Sequence, residues 1–308
     1  MKILITGVNV QLGHDVALEL AARGHEPICT GTKLAYTGVL DAVAGMRYFQ
    51  LDITDEAAVN RLMNYEKPDA VIHCAAWTAV DAAEDEENYG KVQAINVIGT
   101  RNLARACHRL NAKMLYTSTD YVFDGNGTKP WKPECKCYNP QNVYGRSKLG
   151  GELQVSSFMD KYFIVRIAWV FGLNGNNFVK TMLKVGKTHP ELRVVSDQIG
   201  TPTYTKDLAR LLVDMIETDK YGIYHATNEG GYISWYDFAC EIFRQAGYNT
   251  KVTPVTTYEY GLSKAKRPFN SRLDKSKLVV KGFKPLPDWK DAVGRYLREL
   301  GVSIESHN

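Results

Sequence analysis

The sequence predicts an α/β fold, a doubly wound parallel sheet of the Rossmann type with a smaller mixed C-terminal domain. Short apolar runs alternate with helical periodicity through the first half of the chain, as in parallel sheets covered by helices on both faces. The first run leads through a glycine-containing turn into a helical pattern, the usual start of this fold. We predict a first domain over residues 1–170 and a second domain mainly over residues 171–308. Residues of about 195–227 are predicted to belong to the first domain.

The predicted elements follow from the length and spacing of the apolar residues. Strands are predicted over Met1–Thr6, His25–Cys29, Tyr48–Leu51, Ala70–Cys74, Lys113–Thr117, Phe163–Ala168 and Gly222–Thr227. Helices are predicted over Gln11–Arg23, Glu56–Tyr65, Asp81 towards Leu110, the stretch from Tyr144, Phe178–Val185, Asp207–Glu217, Trp235–Ala246 and Asp288–Leu300. Residues 194–203 are predicted as a strand and turn, and residues 266–274 as a polar loop.

The composition excludes several classes of protein. The 308 residues are 44% hydrophobic and 23% charged, as in ordinary globular proteins, and the net charge of +4 is too small to indicate a nucleic-acid partner. No stretch approaches the roughly 20 apolar residues of a membrane helix. The N-terminus leads directly into a predicted strand and is too short for a signal peptide. We therefore expect a cytoplasmic protein with no nucleic-acid or membrane partner.

Cysteines and acidic residues do not indicate a metal site. The six cysteines are scattered, which does not resemble a disulfide framework in a chain of this length. Cys135 and Cys137 are too closely spaced for an ordinary zinc pair, and no His–Cys cluster completes a site. We predict a loop there. The five acidic residues between Asp81 and Glu87 are interpreted as a first helical turn, where negative charge is favourable.

The turn over residues 7–13 is a candidate phosphate site, because the N-terminus of a helix offers free backbone N–H groups to an anion. The usual fingerprint has three glycines, but here Val10 replaces the middle one. A β-branched residue disfavours positive φ and brings a side chain towards the phosphates. We expect Val10 to weaken dinucleotide binding. The alternative is that Val10 has negative φ and packs between sheet and helix.

The end of the second predicted strand bears on cofactor choice. An NAD-binding unit usually has an acidic residue there, which binds the ribose 2′-hydroxyl. Here Thr30 and Lys33 occupy the region and no acid is present between Cys29 and Lys33. A cation and hydroxyls suit a 2′-phosphate, so NADPH is favoured over NADH. The alternative is that Lys33 is a solvated loop residue.

Tyr144 and Lys148 lie four residues apart at the start of a predicted helix, so they share a face. A phenol beside an ammonium suits acid–base chemistry, because a nearby positive charge lowers the phenol pKa from about 10. The alternative is a solvated helix face. Acid–base chemistry is favoured because other candidate residues follow predicted strands and would meet this pair in one crevice. These residues are Asp52, Ala75, Thr119 and Trp169.

Several runs together resemble the dTDP-4-dehydrorhamnose reductases, a family of the extended short-chain dehydrogenase/reductase superfamily. The resemblance covers residues from Lys2 to Leu300, and its distinctive runs are Ser118–Gly125 (STDYVFDG) and Asn142–Lys148 (NVYGRSK). Further matches are residues 11–13, 52–55, 75–81, 175–178 and 197–203, and Arg267-Pro268 with Ser271 and Asp274. Trp77 departs from the family, which has a smaller aromatic residue or His there, and is expected to alter the pocket wall.

The resemblance implies reduction of the 4-keto group of dTDP-4-dehydro-L-rhamnose to dTDP-L-rhamnose, with hydride from NAD(P)H. Thr119 would bind the keto oxygen, Tyr144 would give the proton, and Lys148 would lower the pKa of Tyr144 and hold the nicotinamide ribose. The predicted cofactor residues are Gly7, Asn9, Val10, Gln11, Leu12, Thr30, Lys33, Asp52, Ile53, Ala75, Ala76 and Thr78. Residues predicted to face the sugar nucleotide are Val80, Asp120, Tyr121, Trp169, Asn177 and Arg267, of which Arg267 suits the diphosphate.

Two other functions remain open at this stage. A nucleotide-sugar epimerase or dehydratase of the same superfamily is disfavoured by the missing acid after the second strand and by the run Ser118–Gly125. A non-catalytic regulatory subunit that binds nucleotide is favoured by Val10. It is disfavoured by the intact Thr119, Tyr144 and Lys148. A homodimer is compatible with these features, and no metal is expected.

Overall fold

The protein is described by a computed structural model that covers residues 1–38 and 41–302. The end of the predicted second domain, residues 303–308, lies outside the described residues. A seven-stranded sheet in which every pairing is parallel forms the first lobe. Its strands are β1 Lys2–Thr6, β2 Glu26–Gly31, β3 Arg47–Gln50, β4 Ala70–His73, β5 Lys113–Thr119, β6 Tyr162–Ile167 and β11 Gly222–His225. The predicted Rossmann-type sheet is confirmed.

Short strands outside this sheet form three two-stranded pairs. They are β7 Val170–Phe171, β8 Glu191–Val195, β9 Ile199–Gly200, β10 Thr203–Tyr204, β12 Ile233–Ser234 and β13 Lys251–Val255. The helices are α1 Gln11–Ala22, α2 Asp41–Ala44, α3 Glu56–Glu66, α4 Glu86–Gln93, α5 Thr100–Leu110, α6 Val143–Phe158, α7 Phe178–Gly186, α8 Thr205–Ile216, α9 Trp235–Ala246, α10 Thr257–Tyr260, α11 Ser276–Val280 and α12 Trp289–Glu299.

The strand order of the main sheet places a crevice beside the first strand. The order is β11-β6-β5-β4-β1-β2-β3. Strands β2 and β3 are thus added on one side of β1, and β4 and the later strands on its other side. In open parallel sheets a ligand binds at such a switch point, outside the carboxyl ends of the strands. Strand β4 is buried along its whole length, as expected for a strand covered by helices on both faces.

Several helices begin at a side chain that satisfies free N–H groups. The Asp55 carboxylate accepts from Ala58 N at the start of α3, and the Asn142 amide oxygen accepts from Gly145 N at the start of α6. Ser234 and Asp237 form a reciprocal capping box at the start of α9. Such caps typically stabilise a helix by about 1 kcal/mol. The cap on α6 is the one that matters for the site, because it fixes the turn that carries Tyr144.

Three apolar clusters form the cores of the two lobes. One packs α1 and α8 against one face of the sheet, and a second packs α3, α5 and α6 against the other. The third cluster holds the second lobe and is built from α7, α9, α12 and the β8–β13 pair. Residues 205–225 pack with the first lobe, since β11 is an edge strand of the main sheet and α8 lies against α1. The exact domain limits stay a prediction.

The stretch from Asp81 to Leu110 differs from the predicted continuous helix. It consists of a 3₁₀ turn over Ala82–Glu84, then α4, a π-helical segment over Ala94–Gly99, and α5. Within the π segment the Asn96 amide binds both backbone groups of Trp77 and the Ser147 hydroxyl. Gly99 is packed so closely on Ile53 that a Cβ would lie 2.6 Å from its side chain. Tertiary contacts therefore interrupt the regular helix.

Some elements gave no clear signal in the sequence. They are α2, α10 and α11 and the strands β7, β12 and β13, all of them short. Most depend on pairing with distant segments, such as β13 with β8 across about sixty residues. In the described part of the chain, no helix is long and apolar enough to cross a membrane.

Candidate active site

A cavity of about 820 Å³ lies at the carboxyl ends of the sheet strands, between the two lobes. It collects most of the predicted site residues. Those that line it are Asn9, Val10, Gln11, Leu12, Ala76, Thr78, Val80, Thr119, Asp120, Tyr121, Tyr144, Lys148, Trp169, Asn177 and Arg267. Gly7, Thr30, Lys33, Asp52, Ile53 and Ala75 do not line it.

The glycine turn is set by two close backbone contacts. Gly7 has φ of +73°, and a Cβ there would lie 2.8 Å from the Ala75 backbone. A Cβ at Gly13 would lie 2.2 Å from the Gly7 carbonyl oxygen. Distances this short exclude any side chain at either position. Ala75 is therefore a wall of the turn rather than of the cavity.

Val10 combines features of both predicted alternatives. Its φ of −98° and ψ of 170° are extended, so the valine carries no backbone strain. Its side chain is 43% exposed and lines the cavity, so it is not packed between sheet and helix. Val10 makes no side-chain cap on α1, which leaves the first N–H groups of that helix available to an anion.

Residues predicted at the adenosine end of the cofactor have other partners in the structure. Thr30 is buried and its hydroxyl donates to the Ile5 carbonyl at 3.0 Å. Lys33 is exposed, and Asp52 accepts from the backbone and hydroxyl of Thr54 at 2.9 and 2.8 Å. Ile53 is buried. The cofactor roles of these residues stay predictions.

Tyr48 links this region to the glycine turn and was not predicted as a site residue. The Asn9 amide donates to the Tyr48 hydroxyl at 3.3 Å, and that hydroxyl donates to the Lys33 carbonyl at 2.9 Å. The Asn9 oxygen accepts from Thr37 N at 3.0 Å. No local pattern identifies Tyr48, because it reaches the turn from the neighbouring strand β3.

Thr119 and Tyr144 meet on the cavity wall. Thr119 is the last residue of β5, and Tyr144 lies in the first turn of α6. Both side chains line the cavity, and Tyr121 packs edge-on against Tyr144 with ring centroids 5.6 Å apart. Burial raises the pKa of the Tyr144 phenol above its usual value, with a further contribution from the Asp120 charge. The phenol is therefore fully protonated at neutral pH.

Lys148 is buried one helical turn further along the same face. Its Nζ donates to the Thr117 carbonyl at 2.7 Å and lies 4.1 Å from the centre of the Tyr116 ring. Burial lowers the pKa of Lys148 to about 7, although the Glu152 charge opposes this effect. The expected lowering of the Tyr144 pKa by Lys148 is not found, because burial dominates at the phenol and the ammonium is directed at a carbonyl.

Asp120 adds a second titratable group beside the phenol. It is buried, and burial raises the pKa of its carboxyl to about 6, while hydrogen bonds from Ser271 and Thr119 partly offset this. The Thr119 hydroxyl donates to Asp120 at 3.0 Å. Near neutral pH the carboxylate thus accepts from Thr119. Ser271 was matched to the family by sequence but was not predicted as a site residue.

Arg267 reaches the cavity from the segment after α10, which we call the strap and define as residues 261–269. Its guanidinium donates to the Asp81 carboxylate at 2.6 Å. The other Asp81 oxygen accepts from Ala265 N at 2.9 Å. Asp81 thus holds both the backbone of the strap and the side chain of Arg267. The sequence indicated only a favourable charge in a first helical turn, so this role was missed.

An aromatic wall closes the second-lobe side of the cavity. Trp169 has φ of +50° and stacks on Trp235 with ring centroids 3.7 Å apart. Phe178 packs on Trp235 at 4.7 Å, and Phe238 is also part of the wall. Only Trp169 was predicted, because the other rings belong to α7 and α9 and share no local spacing with it.

Gln11 and Asn177 connect the two lobes at the cavity. The Asn177 amide donates to Gln11 Oε1 at 3.0 Å, to the Gly172 carbonyl at 2.9 Å and to the Tyr296 hydroxyl at 2.9 Å. Its oxygen caps α7 by accepting from Lys180 N. Asn177 therefore connects the start of α1 to the second lobe, in addition to lining the cavity.

A buried ion pair supports the helix that carries Tyr144 and Lys148. Glu152 on α6 accepts from Arg166 at 2.8 and 2.7 Å and from the Ser118 hydroxyl at 2.6 Å. All three residues are buried. The pair locks α6 to the ends of β5 and β6, since breaking a buried and fully hydrogen-bonded pair is strongly unfavourable.

The residues present fit a nicotinamide dinucleotide. The glycine turn holds a concave backbone that no Cβ would allow, and the first N–H groups of α1 face the same crevice. The small side chain of Ala76 and the Thr78 hydroxyl continue the wall towards Tyr144 and Lys148. Among the described residues, no group of His, Cys, Asp or Glu side chains could hold a metal ion.

Comparisons with known proteins agree along the whole chain. The family model for the RmlD substrate binding domain matches residues 1–302. The spore coat polysaccharide biosynthesis protein SpsK of Bacillus subtilis is 39% identical over 304 residues, with 99% of both chains covered.

Solved structures give the same result. A dTDP-4-dehydrorhamnose reductase from Clostridium acetobutylicum is 44% identical with a TM-score of 0.87, covering 98% of this chain and 100% of that one. The dTDP-4-dehydrorhamnose reductase from Bacillus anthracis, solved in complex with NADP, is 38% identical with a TM-score of 0.86, covering 97% and 100%.

Fold and comparisons define the class of protein, an NAD(P)H-dependent oxidoreductase of the extended short-chain dehydrogenase/reductase superfamily. The chain belongs to the RmlD substrate binding domain family, which matches it almost from end to end. The family predicted from the sequence is confirmed.

Proposed function

We propose that this protein reduces the 4-keto group of dTDP-4-dehydro-L-rhamnose to give dTDP-L-rhamnose, with NADPH favoured over NADH. The observation that carries the proposal is the placement of Thr119, Tyr144 and Lys148 on the wall of one cavity that begins at a glycine turn. The names of similar proteins, and the NADP complex of one of them, support the same substrate and cofactor.

The chemistry requires a hydride on carbon and a proton on oxygen. The bound nicotinamide supplies the hydride. Tyr144 supplies the proton, because its raised pKa keeps the phenol protonated until charge develops on the keto oxygen. Thr119 would donate its one hydroxyl proton to the same oxygen, and would give up its hydrogen bond to Asp120 to do so. The ketone thus gains one hydride and one proton and becomes an alcohol.

Lys148 acts on the phenolate rather than on the phenol. It lines the cavity, with Nζ fixed by one hydrogen bond to the Thr117 carbonyl. An ammonium has three donors, so two remain for the cofactor ribose. Once Tyr144 has given its proton, a nearby positive charge stabilises the phenolate. We assign the ribose and phenolate roles to Lys148 on this basis.

The substrate is a nucleotide sugar that lies between the lobes. Arg267 binds its diphosphate through guanidinium N–H groups not used by Asp81, and Val80, Tyr121, Trp169 and Asn177 face the nucleotide and sugar. Residues 1–170 with about 195–227 then form the dinucleotide-binding domain, and the remainder forms the substrate domain. We place the protein in the cytoplasm, and a homodimer is the expected assembly.

A coupled assay tests the proposal. The purified protein is mixed with a dTDP-4-keto-6-deoxy sugar, and the absorbance of NADPH or NADH is followed. Consumption of cofactor that requires the sugar nucleotide, with dTDP-L-rhamnose as product, is expected. Binding of both ligands without turnover would instead indicate a regulatory subunit, and cofactor recycling without net consumption would indicate an epimerase.

A further inference from the structure

Cys135 and Cys137 form a thiol pair outside the active site. They lie in the loop between Phe123 and Tyr138, whose backbones pair as an isolated antiparallel bridge. Cys135 is half-buried and Cys137 is exposed. Neither lines the cavity. The loop directly follows the segment with Thr119, so the pair is close to the site in sequence but is not part of it.

The Cys135 sulfur lies against the backbone of Cys137. The Cys137 N–H donates to Cys135 Sγ at 3.4 Å. The neighbouring Cys135 thiol raises the pKa of Cys137. The Tyr138 N–H donates to the Lys136 carbonyl at 2.8 Å and folds the chain tightly at Cys137. Local backbone geometry therefore holds the two cysteines close together without help from a distant segment.

The other four cysteines have different surroundings. Cys29, Cys74 and Cys107 are buried, and burial raises the pKa of each to about 12. Cys240 is half-buried and has no cysteine beside it in the sequence. A buried thiol is inaccessible to a disulfide in solution. The exposure of Cys137, with Cys135 Sγ held against its backbone, is the feature that makes this loop suitable for thiol chemistry.

A disulfide between residues i and i+2 is sterically feasible. An extended chain advances by at most about 3.6 Å per residue, so Cα atoms two residues apart lie within about 7 Å, the upper limit for a bridge. A metal is not the better explanation, because the described residues supply no third ligand of the kind that a zinc site needs. Thiol–disulfide exchange needs only the two sulfurs.

We propose that Cys135 and Cys137 are a redox modification site that forms a reversible intrachain disulfide by exchange with a low-molecular-weight disulfide. The exposed Cys137 thiolate attacks one sulfur of that disulfide, which forms a mixed disulfide and releases one thiol. Cys135 then attacks the Cys137 sulfur and releases the second thiol. The protein loses two electrons and two protons, and the small disulfide is reduced to two thiols. The proposal does not depend on the proposed reductase activity.

The packing around Cys135 and Tyr138 indicates which part of the protein a disulfide would affect. Cys135 lies against an apolar cluster that contains Val122 and Phe123. Tyr138, the residue after the pair, accepts a hydrogen bond from the buried Arg166 at 2.8 Å. The disulfide would therefore fix the base of the loop on which Phe123 and Tyr138 meet, without occupying the cavity.

Trypsin gives a direct test, because Lys136 lies between the two cysteines. The full-length reduced protein is incubated with glutathione disulfide, denatured without reductant, alkylated and digested. Trypsin cuts after Lys136, while Lys129 and Lys132 precede proline and resist cleavage. In the oxidised protein we expect the peptides Met114–Lys136 and Cys137–Arg146 to stay joined until a reductant separates them, with a loss of two free thiols.

Variants distinguish the intrachain disulfide from simple glutathione attachment. Cys135→Ser should accumulate glutathione on Cys137, because the resolving thiol is gone, and should never give the joined peptides. Cys240→Ser is the matched control and should behave as the wild-type protein does. Two outcomes would overturn the proposal: both cysteines remain alkylated in the wild-type protein, or the wild-type protein retains glutathione on Cys137 as Cys135→Ser does.

Discussion

The two sides of the cavity are built in different ways. The cofactor side comes from adjacent segments, β1, the glycine turn and α1, and its shape depends on backbone contacts such as the one between Gly13 and Gly7. The substrate side comes from side chains of distant segments, such as Arg267 on Asp81 and Trp235 on Trp169. Substitutions on the cofactor side should therefore disturb the backbone of the turn. Substitutions on the substrate side should each disturb one pair of side chains.

The largest effect is expected for Gly13→Ala. The new Cβ would lie 2.2 Å from the Gly7 carbonyl oxygen, and both are backbone positions that cannot rotate away. We expect a loss of about 3 kcal/mol or more in the free energy of unfolding, with weakened NADPH binding. Urea denaturation and NADPH titration measure the two effects.

A matched glycine variant separates steric conflict from the general effect of adding a methyl group. Gly90 lies in α4, and a Cβ there would have no neighbour within 4 Å. Gly90→Ala should be neutral or stabilise by up to about 1 kcal/mol. Equal stability of the Gly13 and Gly90 variants would show that the turn is not held by backbone contact.

Asp15 tests the packing of α1 against α8, which supports the cofactor side of the cavity. Both carboxylate oxygens are buried, with no hydrogen-bond partner meeting ordinary geometry in the described part of the chain. Burial raises the pKa of Asp15 to about 6. The Thr205 hydroxyl lowers this pKa only in part, because it donates to the Phe171 carbonyl. Glu299 adds to the rise and Lys206 opposes it.

The raised pKa predicts a stability loss with rising pH. The unfolded carboxyl ionises near pH 4 and the folded one near 6, so stability falls across that interval and stays lower above it. Asp15→Asn removes this loss and should stabilise the protein by about 2 kcal/mol near neutral pH, with little gain near pH 4. Urea denaturation across this range measures it. The exposed Asp160→Asn is the control, and a pH-independent difference would contradict the explanation.

Asp81→Asn tests a single pairing on the substrate side. The amide oxygen can still accept from Ala265 N, but the charge that orients Arg267 is lost. We expect KM for the sugar nucleotide to rise about tenfold, the scale of one charged hydrogen bond, with NADPH affinity unchanged. Steady-state kinetics measure the change.

Asp85→Asn provides the matched control for the strap. Asp85 pairs with Lys264 of the same segment but at an exposed position, where an ion pair contributes little. Its KM should stay close to that of the wild-type protein. If both variants raise KM equally, the strap matters as a whole and the Arg267 pairing has no special role.

The smallest effect is expected for Val10→Gly. The extended backbone of Val10 needs no glycine, so only the exposed side chain in the cavity is at issue. Its removal should tighten NADPH binding by less than about tenfold, since relief of crowding is partly offset by a more flexible chain. Calorimetric titration of both proteins decides the sign, and equal or weaker binding by the glycine variant would reject the crowding hypothesis.

The sequence predicted what depends on local pattern. The main-sheet strands, the glycine turn and the Tyr144–Lys148 face follow from apolar period and i, i+4 spacing, and their positions agree with the structure within a few residues. Tyr48, Asp81 and Trp235 were missed because each reaches the site through tertiary contacts. The direction of the Tyr144 pKa shift was wrong, since spacing shows that Lys148 is near but not that burial dominates.

The central claim is that Tyr144 gives the proton. Tyr144→Phe removes one hydroxyl from a half-buried ring and should leave folding and NADPH affinity nearly unchanged. Turnover of the dTDP-4-keto sugar, followed by NADPH absorbance at saturating substrate, should fall by about 10²-fold or more, the scale of a lost general acid. Turnover at the wild-type rate would contradict the assignment of Tyr144 and with it the proposed arrangement of the site.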